Sequence, residues 1–461
     1  MIDKFKDECG VFGIYNHPEA SNLTYLGLHS LQHRGQEGAG IASTDNIKFY
    51  IEKGIGLVSD IFSKEKIDKL QGSSAIGHVR YSTTGTSSLV NTQPIHVTSS
   101  LGEIAVAHNG NLTNANKLKK SLEKDGAIFQ TNSDTEVIVH LIAKSKKKSF
   151  LQRIIFALSK CEGAYSLLFL IGNQIIAARD PRGFRPLVLG AINNSYVIAS
   201  ETCAFDLVEA ETIREIKPGE IITIDDKGIT SYSPFKRIAR KAFCIFEHIY
   251  FARPDSYVFG SSVYMARKEL GRQLAREYPM KADYIVPVPD SGVASAIGYS
   301  EESGIPLELG LMRNHYVGRT FIEPKQNIRN FGVKLKLNSV KEVLNNKKVI
   351  VIDDSIVRGT TCRKIIKMIK DSGAKEVHVR ISSPPTKDSC YYGIDTPDKS
   401  DLIANDLTIE QIRRYILADS LGYLSLNGLR ESVQKDSPYN VKSNYCTACF
   451  NGKYPTEIES R

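Results

Sequence analysis

The residues with the clearest chemical potential follow a short apolar run near residue 350. Residues 349–352 read Val-Ile-Val-Ile, and four β-branched residues in succession predict a buried parallel strand. Asp353 and Asp354 come directly after this run. A loop of mostly small and polar residues, 355–361, then precedes a segment, 362–370, whose isoleucines have helical spacing.

A strand, two carboxylates, a small-residue loop and a helix together form a ligand site at the carboxyl edge of open α/β sheets. The backbone N–H groups of the loop and the helix N-terminus favour an anion such as phosphate. Asp353 and Asp354 cannot bind that anion directly, so they must face hydroxyl groups or a metal ion. The predicted ligand is therefore a sugar phosphate. A buried strand that merely ends in a capped helix would leave two adjacent carboxylates unexplained.

A second group of polar clusters occupies the first third of the chain, each at the end of an apolar strand or the start of a helix. The clusters are Cys9, 31–40, 77–85, 108–111 and 132–136. Taken singly, Cys9 is more often a buried strand cysteine than a nucleophile. Asn109-Gly110 alone is a favoured hairpin turn, and Ser133-Asp134 alone would cap the following helix. Their chemical meaning depends on whether the fold brings them together.

Eight cysteines in a chain expected to be cytoplasmic argue against a disulfide framework. Three of them, Cys161, Cys203 and Cys362, lie in apolar or helical contexts that predict inert packing. Cys446 and Cys449 form a CxxC pair, which alone is weak evidence for a metal, with zinc as the usual candidate. Cys244 and Cys390 would complete a four-thiolate set, but spacing alone does not join them.

The length of 461 residues predicts two or three domains. The composition, 41% hydrophobic and 24% charged, is ordinary for a globular protein. No apolar run has the length of a membrane span, and residues 1–8 lack the apolar core of a secretory signal, so we expect a cytoplasmic protein. The net charge of +9 is dispersed and accompanies no nucleic-acid motif, which favours anionic small substrates over nucleic acid.

Residues 349–361 resemble the phosphoribosylpyrophosphate (PRPP) loop of type I phosphoribosyltransferases almost position for position. The resemblance implies an α/β domain with a parallel sheet, in which Asp353 and Asp354 hold the ribose hydroxyls and Mg²⁺. Residues 284–292, a second strand ending in a small polar loop, would form the pyrophosphate side, with Ser291 near the Mg²⁺. The loop expected to hold the 5′-phosphate contains Ser355, Arg358, Gly359, Thr360 and Thr361.

The clusters between Cys9 and about residue 235 resemble, in this order, the class II (N-terminal nucleophile) glutamine amidotransferases. That resemblance implies an α+β fold, an αββα sandwich of two antiparallel sheets between helix layers. Cys9 would attack the glutamine amide, with Asn109 and the backbone N–H of Gly110 as the oxyanion hole. The resemblance also implies that Arg80 binds the α-carboxylate of glutamine and Asp134 its α-ammonium, while Arg34 supports the pocket.

The Cys9 thiol needs a base to become a thiolate, and no Cys–His pair is evident. An N-terminal cysteine has its own base, an α-amino group with a pKa of about 7.7–8.0. That group exists only if the bond between Glu8 and Cys9 is cut. We therefore predict that residues 1–8 are a propeptide, removed by cleavage that the Cys9 thiol itself could perform on the Glu8 carbonyl.

The whole chain resembles the amidophosphoribosyltransferase family, in its subgroup with a propeptide and an iron–sulfur cluster. The resemblance implies a [4Fe–4S] cluster on Cys244, Cys390, Cys446 and Cys449, with structural zinc as the alternative. We divide the chain into a propeptide (1–8), a glutamine amidotransferase domain (9–235), and a phosphoribosyltransferase domain with a C-terminal iron–sulfur segment (236–461).

The family resemblance also implies the reaction and its partners. Glutamine, PRPP and water would give 5-phosphoribosylamine, pyrophosphate and glutamate, the first committed step of purine synthesis. Ammonia would pass through an internal channel. Residues 314–326 resemble the family's flexible loop, which closes over PRPP. The resemblance further implies that purine nucleotides inhibit the protein. It also implies that the protein forms a homo-oligomer, either a tetramer or a dimer.

Two other functions remain open from the sequence. A class II amidotransferase that makes an amino sugar or an asparagine would explain residues 9–235 but not residues 349–361. A PRPP-sensing regulatory protein without transferase activity would explain residues 349–361. It would not need Cys9, Arg80, Asn109 and Asp134.

Overall fold

The structure is a computed structural model that describes residues 9–81, 88–235, 240–314 and 337–458. Several predictions concern segments outside these residues. They are the propeptide 1–8, residues 82–85 of one polar cluster, residues 236–239 at the domain boundary, and all but the first residue of the loop 314–326.

The first half of the described chain is built from strands and short helices. The strands are β1 (Gly10–Tyr15), β2 (Gly38–Thr44), β3 (Phe49–Ile55), β4 (Ser74–Arg80), β5 (Ile95–Ser99), β6 (Gly102–Leu112), β7 (Gly163–Ile171), β8 (Gln174–Arg179), β9 (Val188–Ile192), β10 (Ser195–Ala199), β11 (Glu211–Glu215), β12 (Ile221–Asp225) and β13 (Gly228–Tyr232). The helices are α1 (Ala20–Ser30), α2 (Val58–Ile61), α3 (Lys64–Lys69), α4 (Ala115–Lys124), α5 (Asp134–Lys144), α6 (Phe150–Leu158) and α7 (Cys203–Val208), with a 3₁₀ turn at Leu89–Asn91.

These strands form two antiparallel sheets stacked face to face. The first has the order β11-β9-β10-β1-β4-β2-β3 and the second β13-β12-β8-β7-β6-β5. Strand β7 is buried on both faces because Leu168 and Leu170 face the first sheet, while Leu167 and Phe169 pack under helices α4–α6. Helices α1 and α7 cover the outer face of the first sheet. This confirms the predicted αββα sandwich.

The second half begins with short strands and is centred on a parallel sheet. Its strands are β14 (Phe243–Cys244), β15 (Tyr257–Val258), β16 (Ser261–Ser262), β17 (Tyr284–Pro287), β18 (Leu311–Arg313), β19 (Leu337–Ser339), β20 (Lys348–Asp353), β21 (Glu376–Ile381), β22 (Ser420–Tyr423) and β23 (Tyr445–Cys446). Its helices are α8 (Val263–Glu277), α9 (Val293–Ser303), α10 (Lys341–Leu344), α11 (Thr360–Asp371), α12 (Ile403–Asp406), α13 (Ile409–Tyr415), α14 (Leu426–Gln434), α15 (Val441–Asn444) and α16 (Ala448–Asn451), with a π-helical turn at Glu247–Phe251 and a 3₁₀ turn at Lys399–Asp401.

The parallel sheet has the order β17-β20-β21-β22, and all its neighbouring pairs are parallel. The central residues of strand β20, 349–352, are all apolar because helices cover both faces of the strand. Ile350 and Ile352 pack in the core that contains α8, and Val349 and Val351 pack in the core that contains α11. The predicted α/β domain with a parallel sheet is therefore confirmed, and the end of β20 meets the start of α11 as the sequence predicted.

Candidate active sites

Cys9 precedes β1, in the middle of the first sheet, and is buried. Its Sγ lies 3.5 Å from the backbone oxygen of Tyr81, and its own carbonyl accepts a hydrogen bond of 3.1 Å from Arg34 Nε. Gly10 pairs with Val79, so Cys9 lies opposite Arg80 at the end of β4. Arg80 is also buried. The register of β1 and β4 therefore brings residues 9 and 80 to the same end of these two strands.

Asn109 and Gly110 do not form a hairpin turn. Both lie inside β6, where they pair with Ser166 and Tyr165 of β7. Asn109 Nδ2 donates to Ser200 Oγ at 3.3 Å, and the same hydroxyl accepts from the backbone N–H of Val11 at 3.0 Å. Asn109 is thus tied to the strand that follows Cys9.

Gly110 has a backbone conformation that only glycine adopts readily, with φ of +147°. A Cβ at this position would lie 2.2 Å from the carbonyl oxygen of Ala164. The glycine is therefore required by the close approach of β7.

Asp134 is the first residue of α5, and Ser133 caps that helix by accepting from the N–H of Thr135, as predicted. Asp134 Oδ2 accepts from the N–H of Leu112 at 2.8 Å. Burial raises the pKa of the Asp134 carboxyl, but the nearby His108 ring and the hydrogen bonds from Leu112 and Thr135 outweigh it, so the pKa lies below its usual value. The carboxylate therefore stays ionised near the end of β6.

Arg34 is only 1% exposed and makes its contacts inside the protein. Besides the Cys9 carbonyl, its guanidinium contacts Glu201 and the carboxylate of Glu247. Glu247 belongs to the second half of the chain. Arg34 therefore supports the backbone of Cys9 and joins the two halves.

The acidic pair at the end of β20 is buried, with Asp354 1% exposed. Ser291 Oγ lies 3.3 Å from Asp353 Oδ1, and Ser355 Oγ donates to Asp354 Oδ2 at 2.5 Å. Strand β17 runs parallel to β20, so the loop after it brings Ser291 to the acidic pair. The fold thus unites the two segments, 284–292 and 349–361, that the sequence assigned to one site.

Gly359 precedes α11 with φ of +77°, and the helix begins at Thr360 and Thr361. The loop from Ser355 therefore leads into a helix N-terminus, the arrangement that favours an anion. The side chain of Arg358 instead forms an exposed ion pair of 2.8 Å with Asp401.

Cys244, Cys390, Cys446 and Cys449 line one cavity, together with aromatic side chains such as Phe246. Strand β14 pairs in parallel with β23, and Cys244 lies opposite Cys446. Burial raises the pKa of the Cys446 thiol to about 12 and that of Cys449 well above its usual value. Among the described residues, no three or more His, Cys, Asp or Glu side chains are arranged to hold a single metal ion. The four thiols surround a shared apolar space, which suits a four-thiolate cluster.

Sequence reasoning missed two buried acidic residues, Glu201 and Glu247. Glu247 interrupts an aromatic, apolar segment, and Glu201 follows the buried strand β10. A carboxylate within or next to an apolar segment could have indicated a buried ion pair, because buried charges require partners. The partners themselves lie up to 213 positions away along the chain.

Two family models match the chain, one in each half. A family model described as a glutamine amidotransferase domain matches residues 78–206, and one described as a phosphoribosyl transferase domain matches residues 258–408. Over 459 residues, 53% are identical to an amidophosphoribosyltransferase, chloroplastic, of Vigna aconitifolia, covering 99% of this chain and 93% of the relative. The chain belongs to the amidophosphoribosyltransferase family.

Other amidophosphoribosyltransferases support this membership. The protein of Bacillus subtilis is 50% identical, covering 99% of this chain and 96% of the relative. The solved structure of glutamine PRPP amidotransferase from B. subtilis, complexed with ADP and GMP, superposes with a TM-score of 0.93 at 50% identity and covers 98% of each chain. As an amidophosphoribosyltransferase, the protein is an enzyme of purine biosynthesis that combines both domains.

Two observations bear on the compartment of the protein. Within the described part of the chain, no helix has both the length and the apolarity needed to span a bilayer. The plant relative is named as chloroplastic, whereas the B. subtilis relative is named without a compartment. The cytoplasmic location stays a prediction.

Proposed function

We propose that this chain hydrolyses glutamine with water and transfers the released ammonia to PRPP, giving 5-phosphoribosylamine, pyrophosphate and glutamate. The observation that supports the proposal is that one chain carries the residues proposed for both sites. In the first half, Asn109 is joined through Ser200 to Val11, two residues after Cys9. In the second half, the buried Asp353–Asp354 pair leads into a helix N-terminus. A PRPP-sensing regulator would need only the second site.

In the first half, Cys9 would attack the side-chain amide of glutamine, with Asn109 and the N–H of Gly110 receiving the developing oxyanion. Its base would be its own α-amino group, freed by removal of residues 1–8. Arg80 would bind the α-carboxylate of glutamine. The ionised carboxylate of Asp134 would bind the α-ammonium, an assignment that its lowered pKa supports.

In the second half, Asp353 and Asp354 would hold the ribose hydroxyls of PRPP, while the loop 355–361 would receive the 5′-phosphate through its N–H groups. Ammonia from the Cys9 site would displace pyrophosphate at ribose C1. Mg²⁺, held by the acidic pair and Ser291, would supply charge to stabilise the leaving pyrophosphate. The Ser291–Asp353 contact of 3.3 Å supports a shared oxygen-rich site at this position.

We also assign the chain to the subgroup with a propeptide and a [4Fe–4S] cluster. The four cysteines that line one cavity supply the thiolates that such a cluster requires. A cluster there would fix the C-terminal segment to β14 and would be structural. Iron and sulfide analysis separates it from zinc, and N-terminal sequencing that begins Cys-Gly-Val would establish cleavage before Cys9.

Purine nucleotides are the proposed feedback inhibitors. The B. subtilis structure in complex with ADP and GMP supports this class of ligand. The assembly into a tetramer or dimer and the closure of the loop 314–326 over PRPP remain predictions from the resemblance.

The test is glutamate release from glutamine by anaerobically purified protein, with and without Mg–PRPP, together with formation of 5-phosphoribosylamine. We expect release that PRPP stimulates, and transfer to PRPP. PRPP binding with neither glutamate release nor transfer, in protein shown to be cleaved before Cys9, would favour the regulatory alternative.

A further inference from the structure

A buried ionic network connects Cys9 to the second half of the chain. Its central member is Glu247, in the π-helical turn Glu247–Phe251, whose side chain is 0% exposed. Glu247 Oε1 accepts from Arg34 Nη2 at 2.9 Å and Oε2 from Arg34 Nη1 at 3.1 Å. This two-point contact fixes the plane and the direction of the guanidinium.

Arg34 passes that constraint to Cys9. Its Nε donates to the Cys9 carbonyl at 3.1 Å, so the orientation of the peptide between Cys9 and Gly10 depends on where the guanidinium lies. The Cα of Cys9 adjoins this peptide and bears both the thiol side chain and the α-amino group that would act as the base of the thiol. Their relative positions are therefore set, through Arg34, by a carboxylate of the other half.

Arg185 connects Glu247 to the part of the same site that contains Gly110. Arg185 Nη1 lies 3.4 Å from Glu247 Oε1, and Arg185 Nε and Nη2 donate to the Tyr392 carbonyl at 3.0 and 2.8 Å. The next residue, Gly393, packs so closely on Gly110 that a Cβ added to it would lie 3.0 Å from Gly110 Cα. Glu247 thus lies between the supports of Cys9 and of Gly110.

The network needs a carboxylate at this position. Arg34 and Arg185 are both buried cations, with Glu201 and Glu247 as their buried acidic partners. Burial raises the pKa of Glu247, but the two guanidiniums outweigh it and keep the side chain ionised. Removing the Glu247 carboxylate takes the two-point contact from Arg34, which keeps its ion pair with Glu201, and also takes the ion pair from Arg185. This imbalance favours displacement of Arg34.

We propose that Glu247 is a positioning residue for glutamine hydrolysis, supplied by the phosphoribosyltransferase half to hold Cys9 in its reactive orientation. The inference rests on the proposed role of Cys9 as the nucleophile. Glu247 acts on Cys9 through Arg34 and on the Gly110 side through Arg185. Its contribution should appear in the rate of glutamine turnover and not in PRPP chemistry.

The test compares Glu247→Gln and Glu247→Asp with the unsubstituted enzyme in two assays of 5-phosphoribosylamine formation. One uses glutamine, and the other uses added ammonia, which bypasses Cys9. Displacements of about 1 Å at a reacting group cost about 100-fold in rate. We expect Glu247→Gln to lower kcat with glutamine by about tenfold or more, with KM for glutamine little changed and the ammonia-dependent rate within about twofold. Glu247→Asp, which keeps the charge, should lose less.

Glu269→Gln is the matched control, because Glu269 also lies in a cluster of ion pairs, with Arg272 and Lys435, but on α8 and away from the Cys9 network. It should leave both assays near the unsubstituted rates. The rate of Cys9 alkylation by iodoacetamide should fall in Glu247→Gln and not in Glu269→Gln.

Three results separate the possible failures. Unchanged glutamine turnover in Glu247→Gln overturns the inference, as does an equal loss with glutamine and ammonia in both Glu247 variants, which indicates a general structural role. Glutamine-dependent activity in Cys9→Ala overturns the proposed nucleophile itself, whatever Glu247 does.

Discussion

Replacing Gly110 with alanine should damage glutamine hydrolysis by displacing the proposed oxyanion donor. The added Cβ would lie 2.2 Å from the carbonyl oxygen of Ala164, whereas real Cβ contacts are essentially never shorter than 3.0 Å. Strand β6 must therefore move by roughly 0.8 Å, the difference between those distances, or β7 must yield. A misplacement of about 1 Å costs about 100-fold in rate, so we expect kcat with glutamine to fall by about that factor.

The matched control is Gly102→Ala, at the other end of the same strand. Gly102 also has a positive φ, +113°, but a Cβ there would meet nothing within 4 Å. Both substitutions carry a backbone cost of about 1–3 kcal/mol, and only Gly110→Ala adds the steric displacement.

The assay is steady-state formation of 5-phosphoribosylamine with glutamine and with ammonia. Gly110→Ala should lose only the glutamine-dependent rate, and Gly102→Ala should keep both. If folded Gly110→Ala turned over glutamine as fast as Gly102→Ala, the placement of the oxyanion donor at Gly110 would be refuted.

Three further predictions follow from the second site, the cavity and the buried network. Asp354→Asn should raise KM for PRPP by about 10- to 150-fold with either nitrogen source, because it loses a charged hydrogen bond worth about 1.5–3 kcal/mol. The control Asp371→Asn, at an exposed carboxylate, should leave KM unchanged. Equal KM values in the two variants would contradict the assignment of the acidic pair. Cys390→Ser should abolish bound iron and sulfide while Cys161→Ser retains them, and iron retained in Cys390→Ser would contradict the ligand set. His33 and Arg34 hold the pKa of Glu201 below its usual range despite burial, so Glu201 stabilises the fold above the ordinary carboxyl pKa of about 4.3 and loses that contribution as pH falls. In urea unfolding between about pH 6 and pH 3, the free energy of unfolding should therefore fall less steeply with pH in Glu201→Gln than in the unsubstituted protein. Parallel pH dependences of the two proteins would refute this prediction.

The sequence predicted the strand, loop and helix that carry the proposed second site, because the signals for these elements are local. A β-branched run, two carboxylates and a small-residue loop specify strand β20, its acidic end and the start of α11, whatever the rest of the chain does. Asn109-Gly110 shows the limit of such signals. The local sequence Asn-Gly favours a turn, yet pairing with β7 holds both residues inside a strand. The proposed role of the pair therefore came from the family resemblance and not from local sequence preference.

The remaining features depend on contacts between distant segments. Cys390 and Cys244 are separated from the CxxC pair, and spacing cannot show that β14 and β23 pair and bring Cys244 opposite Cys446. Glu247 was visible only as a charge in an apolar segment. Its partners, Arg34 and Arg185, come from the other half, and no local pattern specifies a partnership across that distance.

The pairing of β14 with β23 also sets a time order on biosynthesis. Cys244 cannot meet its partners until residues up to Cys449 have left the ribosome. At about 5–20 residues per second, the intervening chain takes about 10–40 s to synthesise. For that interval the thiol of Cys244 belongs to an incomplete cavity, accessible to oxidants and to stray metal ions. The four-cysteine cavity is therefore completed only after Cys449 has been synthesised, and any cofactor that needs all four thiols must be inserted after that point.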